Sequence, residues 1–193
     1  PRLLPGGRLI ALDADPLELP KPVARLRARG FGEDAFTAHH SNFARLPRVL
    51  ATLGTPRADL ILADLGCSSM QLDDPARGFT FKSDGPLDLR MNPRKGEPAS
   101  ALLARLDAPA LAALLTENAD EPDAALLAPA IIEAQRRKPH LTTLQLADTL
   151  RAAFWRARRS PDRDALNDTI RRVFQALRIA VNDEFSEIGR AHV

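Results

Sequence analysis

The run Leu60-Ile61-Leu62-Ala63-Asp64, met at once by Leu65-Gly66-Cys67-Ser68-Ser69, limits the fold more than any other stretch. An apolar strand that carries an acid to its carboxyl end, and there meets a turn of small residues, is how open α/β sheets build binding sites. The segment from Asp64 to Pro93 is polar and studded with Gly and Pro. Loops of that length are either functional or disordered. Phe79, Phe81, Leu87, Leu89 and Met91 recur inside it. A solvated linker would not carry so many large apolar groups, so an ordered functional loop is expected.

Two shorter apolar segments come first. Arg8 to Asp13 reads as a buried strand ending in an acid, and Ala35 to His40 as a second strand. Between them Asp15 serves as a helix N-cap and Pro16 as a first-turn proline, with the helix settling over 21–29 and Gly30 as its C-cap. Ser41 or Asn42 caps a helix over 43–53, which Gly54 and Pro56 stop. Asp59 to Asp64 is then the third strand. Strand, helix, strand, helix, strand with short connections predicts a parallel sheet of βαβ units.

Beyond the loop the character changes to Ala and Leu at helical spacing. Asp107 caps one helix, with Pro109 in its first turn. Thr142-Thr143-Leu144-Gln145 starts another, whose apolar side is Leu144, Leu146, Ala147, Leu150 and Phe154. A last helix over 168–185 carries Ile170, Val173, Phe174, Leu177 and Val181 on one stripe. The expected organisation is a partial sheet domain over 1–97, a helical insertion over 98–167, and a helix over 168–186 returning to the sheet domain. The terminal heptad 187–193 looks like read-through of a sequencing adapter rather than native sequence.

Charge is segregated within the helical half. Residues 97–133 carry seven acids against one base, and residues 134–178 carry eleven bases against four acids. Arg136-Arg137-Lys138 dominates that basic half, which on a chain of net charge +2 suits a polyanion or simply solvates the helices. No apolar run approaches ~18 residues, so no membrane span is expected. The first residues lack the apolar core of a signal peptide. Cys67 is the only cysteine, which excludes an internal disulfide and points to a reducing, cytoplasmic compartment. The four histidines have no ligand-type spacing, so no metal is expected.

Several residues are candidates for chemistry. Asp13 ends a strand where an acid commonly holds the two hydroxyls of a ribose, or else caps the next helix. Asp64 binds an amine or caps a turn. Gln71 suits a base edge or an amino-acid moiety, or is a plain loop glutamine. Phe43 stacks on an adenine or fills the core. Cys67 has no base placed to activate it and reads as a small turn residue.

At Asp64–Pro93 the sequence closely resembles the bacterial small-subunit rRNA 4-methylcytidine methyltransferases, the RsmH (MraW) family. The likeness lies in Asp64-Leu65-Gly66 with Ser68-Ser69, Gln71-Leu72-Asp73, Arg77-Gly78-Phe79, Asp84-Gly85-Pro86-Leu87-Asp88 and Arg90-Met91. It continues in Thr142–Ala147 and in Phe174–Glu184. The resemblance implies a class I S-adenosylmethionine-dependent methyltransferase: a Rossmann-like parallel sheet, here incomplete, with an inserted α-helical domain. It implies transfer of a methyl group to the exocyclic amine of a cytidine in the decoding region of 16S rRNA, with the small ribosomal subunit as partner. Asp13, Phe43, Asp64 and Gln71 match the cofactor-binding positions for S-adenosyl-L-methionine.

No catalytic residue is fixed by this likeness, but Asp64, Ser68 and Ser69 are the nearest candidates for a hydrogen-bond acceptor that helps the amine shed its proton. Arg77, Lys82, Arg90, Arg94, Arg136, Arg137 and Lys138 are the expected RNA contacts. Two features depart from the family. Met70 stands where many members have proline, and Asn118-Ala119-Asp120-Glu121-Pro122 replaces a Tyr-Gly-Glu-Glu stretch. The family's glycine-rich cofactor loop would precede Pro1, so the chain is expected to be a fragment that by itself binds the cofactor weakly. The alternatives are a methyltransferase acting on another substrate and a non-catalytic RNA-binding module.

Overall fold

The computed structural model describes residues 6–55, 57–157 and 162–185. The chain forms two compact units, one holding residues 6–66 with Glu184 and Phe185, the other Cys67–Asp183. The terminal heptad set apart by the sequence lies outside the described residues.

The first unit is built on β1 (Leu9–Asp13), α1 (Pro20–Ala28), β2 (Phe36–His40) and α2 (Leu46–Thr52). β1 and β2 pair in parallel, from Leu9 opposite Phe36 to Asp13 opposite His40. The two carboxyl ends are therefore level, and Ser41 N–H extends the ladder by donating to the Asp13 carbonyl (2.9 Å). Residues 16–19 form a turn and α1 begins only at Pro20. Pro20 and Pro22 fall in its first turn, where a missing N–H costs nothing. Arg27 ties α1 to β2 by donating to the carbonyls of Phe31 (2.6 Å) and Phe36 (2.9 Å) and lying over the Phe36 ring.

The third strand does not form. Residues 59–65 have no regular structure, and the sheet has two strands among the described residues. A buried parallel strand needs a neighbour for its backbone groups and cover on both faces. Leu60, Ile61 and Leu62 have neither, and are 86%, 64% and 87% exposed. The apolar run is a strand in composition that lacks its ladder.

The second unit is helical: α3 (Ser69–Asp73), α4 (Ala99–Arg105), α5 (Ala108–Ala119), α6 (Ala124–Arg137), α7 (Thr143–Arg156) and α8 (Arg163–Asn182). α5, α6 and α8 pack around Leu111, Leu115, Leu127, Ile131, Ile170, Val173 and Leu177, all fully buried. The expected caps are present. Asp107 accepts from Ala110 N–H at 2.8 Å, and Thr142 and Gln145 close a capping box. α8 starts at Arg163, earlier than its apolar stripe alone indicated, because Asp162 caps it through Ala165 N–H (2.7 Å).

The expected division at residue 97 falls inside this unit. Phe79, Leu87 and Leu89 belong to the same apolar core as the helices. Each such side chain contributes about 1.5–3 kcal/mol on burial, enough to hold the loop against the helices. α8, expected to return to the sheet domain, also lies within this unit.

Candidate functional site

Asp13, His40 and Phe43 sit at or just beyond the level carboxyl ends of β1 and β2. Asp13 Oδ1 accepts from Asp15 N–H (2.8 Å), and no hydrogen bond holds Oδ2 among the described residues. Burial raises the Asp13 pKa above the ordinary aspartate value. The Asp15 amide and His40 oppose that rise, and the Asp15 and Glu18 charges add to it. Asp15, expected to cap the helix, does not: it is fully buried and accepts from Leu17 N–H (2.9 Å) and Glu18 N–H (3.4 Å), holding the turn that precedes α1, whose N-cap is Leu19 with no side-chain cap. Asp13 thus keeps one carboxylate oxygen for another partner. Asn42 fixes the turn that carries Phe43 by accepting from Ala44 N–H (2.9 Å). Asp64, in the same unit, is exposed on irregular chain.

Ser68, Ser69 and Gln71 belong to the second unit. Ser68 is the N-cap of α3 and accepts from Gln71 N–H (3.3 Å), while Gln71 Oε1 accepts from Ser68 N–H (2.8 Å). The Gln71 amide also donates to Met91 Sδ (3.4 Å) and is buried. Gln71 therefore spends its side chain on a capping box and a loop contact. Four of the sequence-derived positions are thus divided between the units: Asp13, Phe43 and Asp64 in the first, Gln71 in the second.

The loop after α3 is tightly built. A Cβ on Gly85 would stand 1.9 Å from the Pro75 carbonyl oxygen, and one on Gly78, at φ +73°, 2.1 Å from that of Pro86. Residues 83–87 pair with the start of α7: Leu87 N–H donates to Leu141 O (2.9 Å), Thr143 N–H to Gly85 O (2.9 Å) and Thr143 Oγ1 to Ser83 O (3.1 Å). Leu89 adopts a left-handed backbone (φ 64°), which costs a branched side chain energy that its surroundings must supply. Asn182 does so from the end of α8. Its Nδ2 donates to Leu89 O (2.8 Å) and its Oδ1 accepts from Met91 N–H (2.7 Å). Sequence reasoning gave Asn182 no role; its signal was a lone amide closing an otherwise apolar helical stripe.

The expected RNA-contacting bases separate into two groups. Arg77 is buried, donates to the carbonyls of Arg90 (3.1 Å) and Met91 (2.9 Å), and lies over the Phe79 ring. It is an internal brace, and the surface role expected for it is corrected accordingly. Arg90 forms a fork with Asp88 (2.8 and 2.7 Å) and donates to Gly96 O (3.1 Å). Burial acts to raise the Asp88 pKa, but the hydrogen bonds from Arg90 outweigh it and hold the carboxyl below its ordinary value. Lys82, Arg94, Arg136, Arg137 and Lys138 are exposed, with Arg137 paired to Glu133. A second ion pair, missed by sequence reasoning, joins the buried Glu121 to the half-buried Arg172 (2.8 Å) and ties the α5–α6 turn to α8.

The sequence profile of the MraW methylase family matches residues 2–191. The chain belongs to that family. It is 42% identical over 185 residues to "Ribosomal RNA small subunit methyltransferase H 2" of Alkaliphilus metalliredigens, covering 95% of this chain and 52% of the relative. It is 43% identical over 180 residues to the protein of the same name from Acholeplasma laidlawii, covering 93% and 51%. "Ribosomal RNA small subunit methyltransferase H" of Thioalkalivibrio sulfidiphilus is 42% identical over 191 residues, covering 98% and 57%. The chain spans about half the length of the curated relatives it matches. Membership of the MraW family is consistent with the parallel strand pair of the first unit. Among the described residues no helix is long and apolar enough to cross a membrane.

Proposed function

We propose that this chain is part of an S-adenosylmethionine-dependent enzyme that methylates the exocyclic amine of a cytidine in the decoding region of small-subunit rRNA. The observation that carries this reading is identity of about 42% to methyltransferases named for small-subunit rRNA, over 95% of the chain. The helical unit would be an insertion in a class I methyltransferase fold and the substrate-recognition part, with the cytoplasm as the place of action.

The residues present fit the cofactor. Asp13 has one carboxylate oxygen without a hydrogen-bond partner among the described residues, at a strand's carboxyl end, which suits a ribose hydroxyl. Phe43 follows the neighbouring strand and suits an adenine face. Asp64 and Gln71 are the further positions that the family likeness assigns to the cofactor. When bound, the cofactor supplies an electrophilic methyl group on a sulfonium.

The chain's own task is positional. The amine lone pair of cytosine is delocalised into the ring, so the nitrogen is a weak nucleophile. Holding it in line with the methyl supplies much of the rate. The amine sheds a proton as its new N–C bond forms, to a carboxylate such as Asp64 or to solvent, and a hydrogen-bond acceptor near the amine, for which Asp64, Ser68 and Ser69 are the candidates, helps it leave. The base must be splayed from its stack to be reached, and Lys82, Arg94, Arg136, Arg137 and Lys138 hold the flanking phosphates.

The test is methyl transfer by the gene's complete product, using labelled S-adenosylmethionine and small ribosomal subunits that lack the modification. Label in a single methylated cytidine is expected. Asp13→Ala should weaken cofactor binding about 10- to 100-fold, the worth of a hydrogen bond to a charged group. Label in another nucleoside, or none, would overturn the reading.

A further inference from the structure

Outside the residues assigned above, the first unit has a groove of about 370 Å³ between the end of β2 and α2. His39, His40, Arg45 and Arg48 line it, with Ser41 and Thr52 adding hydroxyls. No acid lines it, and neither do Asp13, Phe43 or Asp64. Arg45 and Arg48 are exposed and have no ion pair or hydrogen bond from their guanidiniums among the described residues. His39 Nε2 is buried with no hydrogen-bond partner among them.

A buried imidazole nitrogen left unpaired is costly, and a bound ion is one of the groups that satisfy such a nitrogen, as water is. Two unpaired guanidiniums lining one groove repel each other and focus a positive field in it. An anion relieves all three. Guanidinium forks match phosphate oxygens, which they bind in pairs. The hydroxyls of Ser41 and Thr52 donate to Asn42 O (3.2 Å) and Arg48 O (3.0 Å), which fixes the walls without filling the groove.

We propose that this groove, lined by other residues than those expected to hold the cofactor, binds a backbone phosphate of the RNA substrate. Arg45 and Arg48 grip the phosphate, and His39 Nε2 supplies a further contact. This rests on the RNA-methyltransferase reading, and it adds a phosphate site on the sheet unit to the bases expected on the loop and helices.

The experiment measures binding of a short unpaired RNA to the full chain across a series of salt concentrations, by fluorescence anisotropy. The double variant Arg45→Gln/Arg48→Gln removes only exposed side chains, and Arg25→Gln on α1 serves as the surface control. The expected result is affinity lowered roughly tenfold in the double variant, and a slope of log K against log salt reduced by about 0.7 for each phosphate no longer neutralised. Arg45→Lys/Arg48→Lys should restore most of the salt slope but only part of the affinity, because the forks are gone. If the wild-type chain binds RNA and the double variant binds equally well with the same slope, the groove proposal is overturned while the functional reading stands. If inorganic phosphate alone shifts the His39 ring resonances and RNA affinity does not depend on the two arginines, the groove holds a free phosphate and the RNA assignment is wrong. If the wild-type chain binds no RNA at all, the groove proposal falls, and the functional reading is decided separately by the methyl-transfer test on the gene's complete product.

Discussion

Gly85 makes the sharpest demand on any single position, because the groups around it are backbone. Its absent Cβ would overlap the Pro75 carbonyl at 1.9 Å, and Gly85 itself is held by the pairing of residues 83–87 with the start of α7. Gly85→Ala should destabilise the second unit by about 3 kcal/mol, as overpacking does, read as a lowered urea midpoint with the far-UV signal otherwise retained. His140 offers a pH test at the same scale. It is buried between Gln135 and Thr149 (2.7 and 2.8 Å), and burial lowers its pKa from 6.5. The folded state then binds the proton less readily than the unfolded one. Its stability contribution is full above pH 6.5 and is lost as pH falls below that value toward the lower folded pKa. The melting temperature should therefore fall as pH drops below 6.5, and His140→Gln should flatten that part of the curve; an equal slope in the variant would exclude His140. Residues whose chemistry is local were legible in the sequence. Asp107 and Thr142 cap the helices they were expected to cap. Arg77 was not, because a basic loop residue and a buried brace look alike until the ring of Phe79 and two carbonyls are folded against it.

At the scale of elements, the loop and the end of α8 act as one piece. Asn182 satisfies Leu89 O and Met91 N–H and so holds Leu89 in its left-handed conformation. Asn182→Ala leaves both groups unpaired and should cost about 3 kcal/mol, at about 1–3 kcal/mol per unsatisfied buried group. Asn182→Asp keeps the acceptor and should cost less; hydrogen exchange at the Met91 amide reads the difference directly. The helices were legible through their apolar stripes and caps. α6 was not singled out, since Pro129 interrupts the pattern that five buried residues, Ala124 to Ile132, otherwise draw. The third strand failed for a different reason. Composition specifies what a strand would bury, but not whether a neighbouring strand is there to pair with it. Leu60, Ile61 and Leu62 carry the composition and remain exposed.

For the whole molecule, the family was legible, while the compact units divide at Cys67 rather than at the residue 97 where the composition changes. The motifs from Asp64 to Pro93 and from Phe174 to Glu184 were read as one family's, and the profile match over residues 2–191 agrees. The boundary drawn at residue 97 rested on a change from polar loop to Ala/Leu helix. The physical boundary lies at Cys67, because the loop's large apolar groups are buried with the helices. That placement explains why a long loop with little periodicity is ordered: Phe79, Leu87 and Leu89 give it a core of its own to enter. The candidate site was legible as residue types at strand ends. Its partners were only partly so, since the capping role of Gln71 and the free oxygen of Asp13 depend on backbone geometry. The central claim, methylation of one cytidine amine in small-subunit rRNA, is tested most directly by mass spectrometry of nucleosides and mapped fragments of that rRNA from cells with and without the gene. The account predicts that a single methyl group on one cytidine disappears and returns when the gene is restored. Unchanged methylation of the small-subunit rRNA would contradict it.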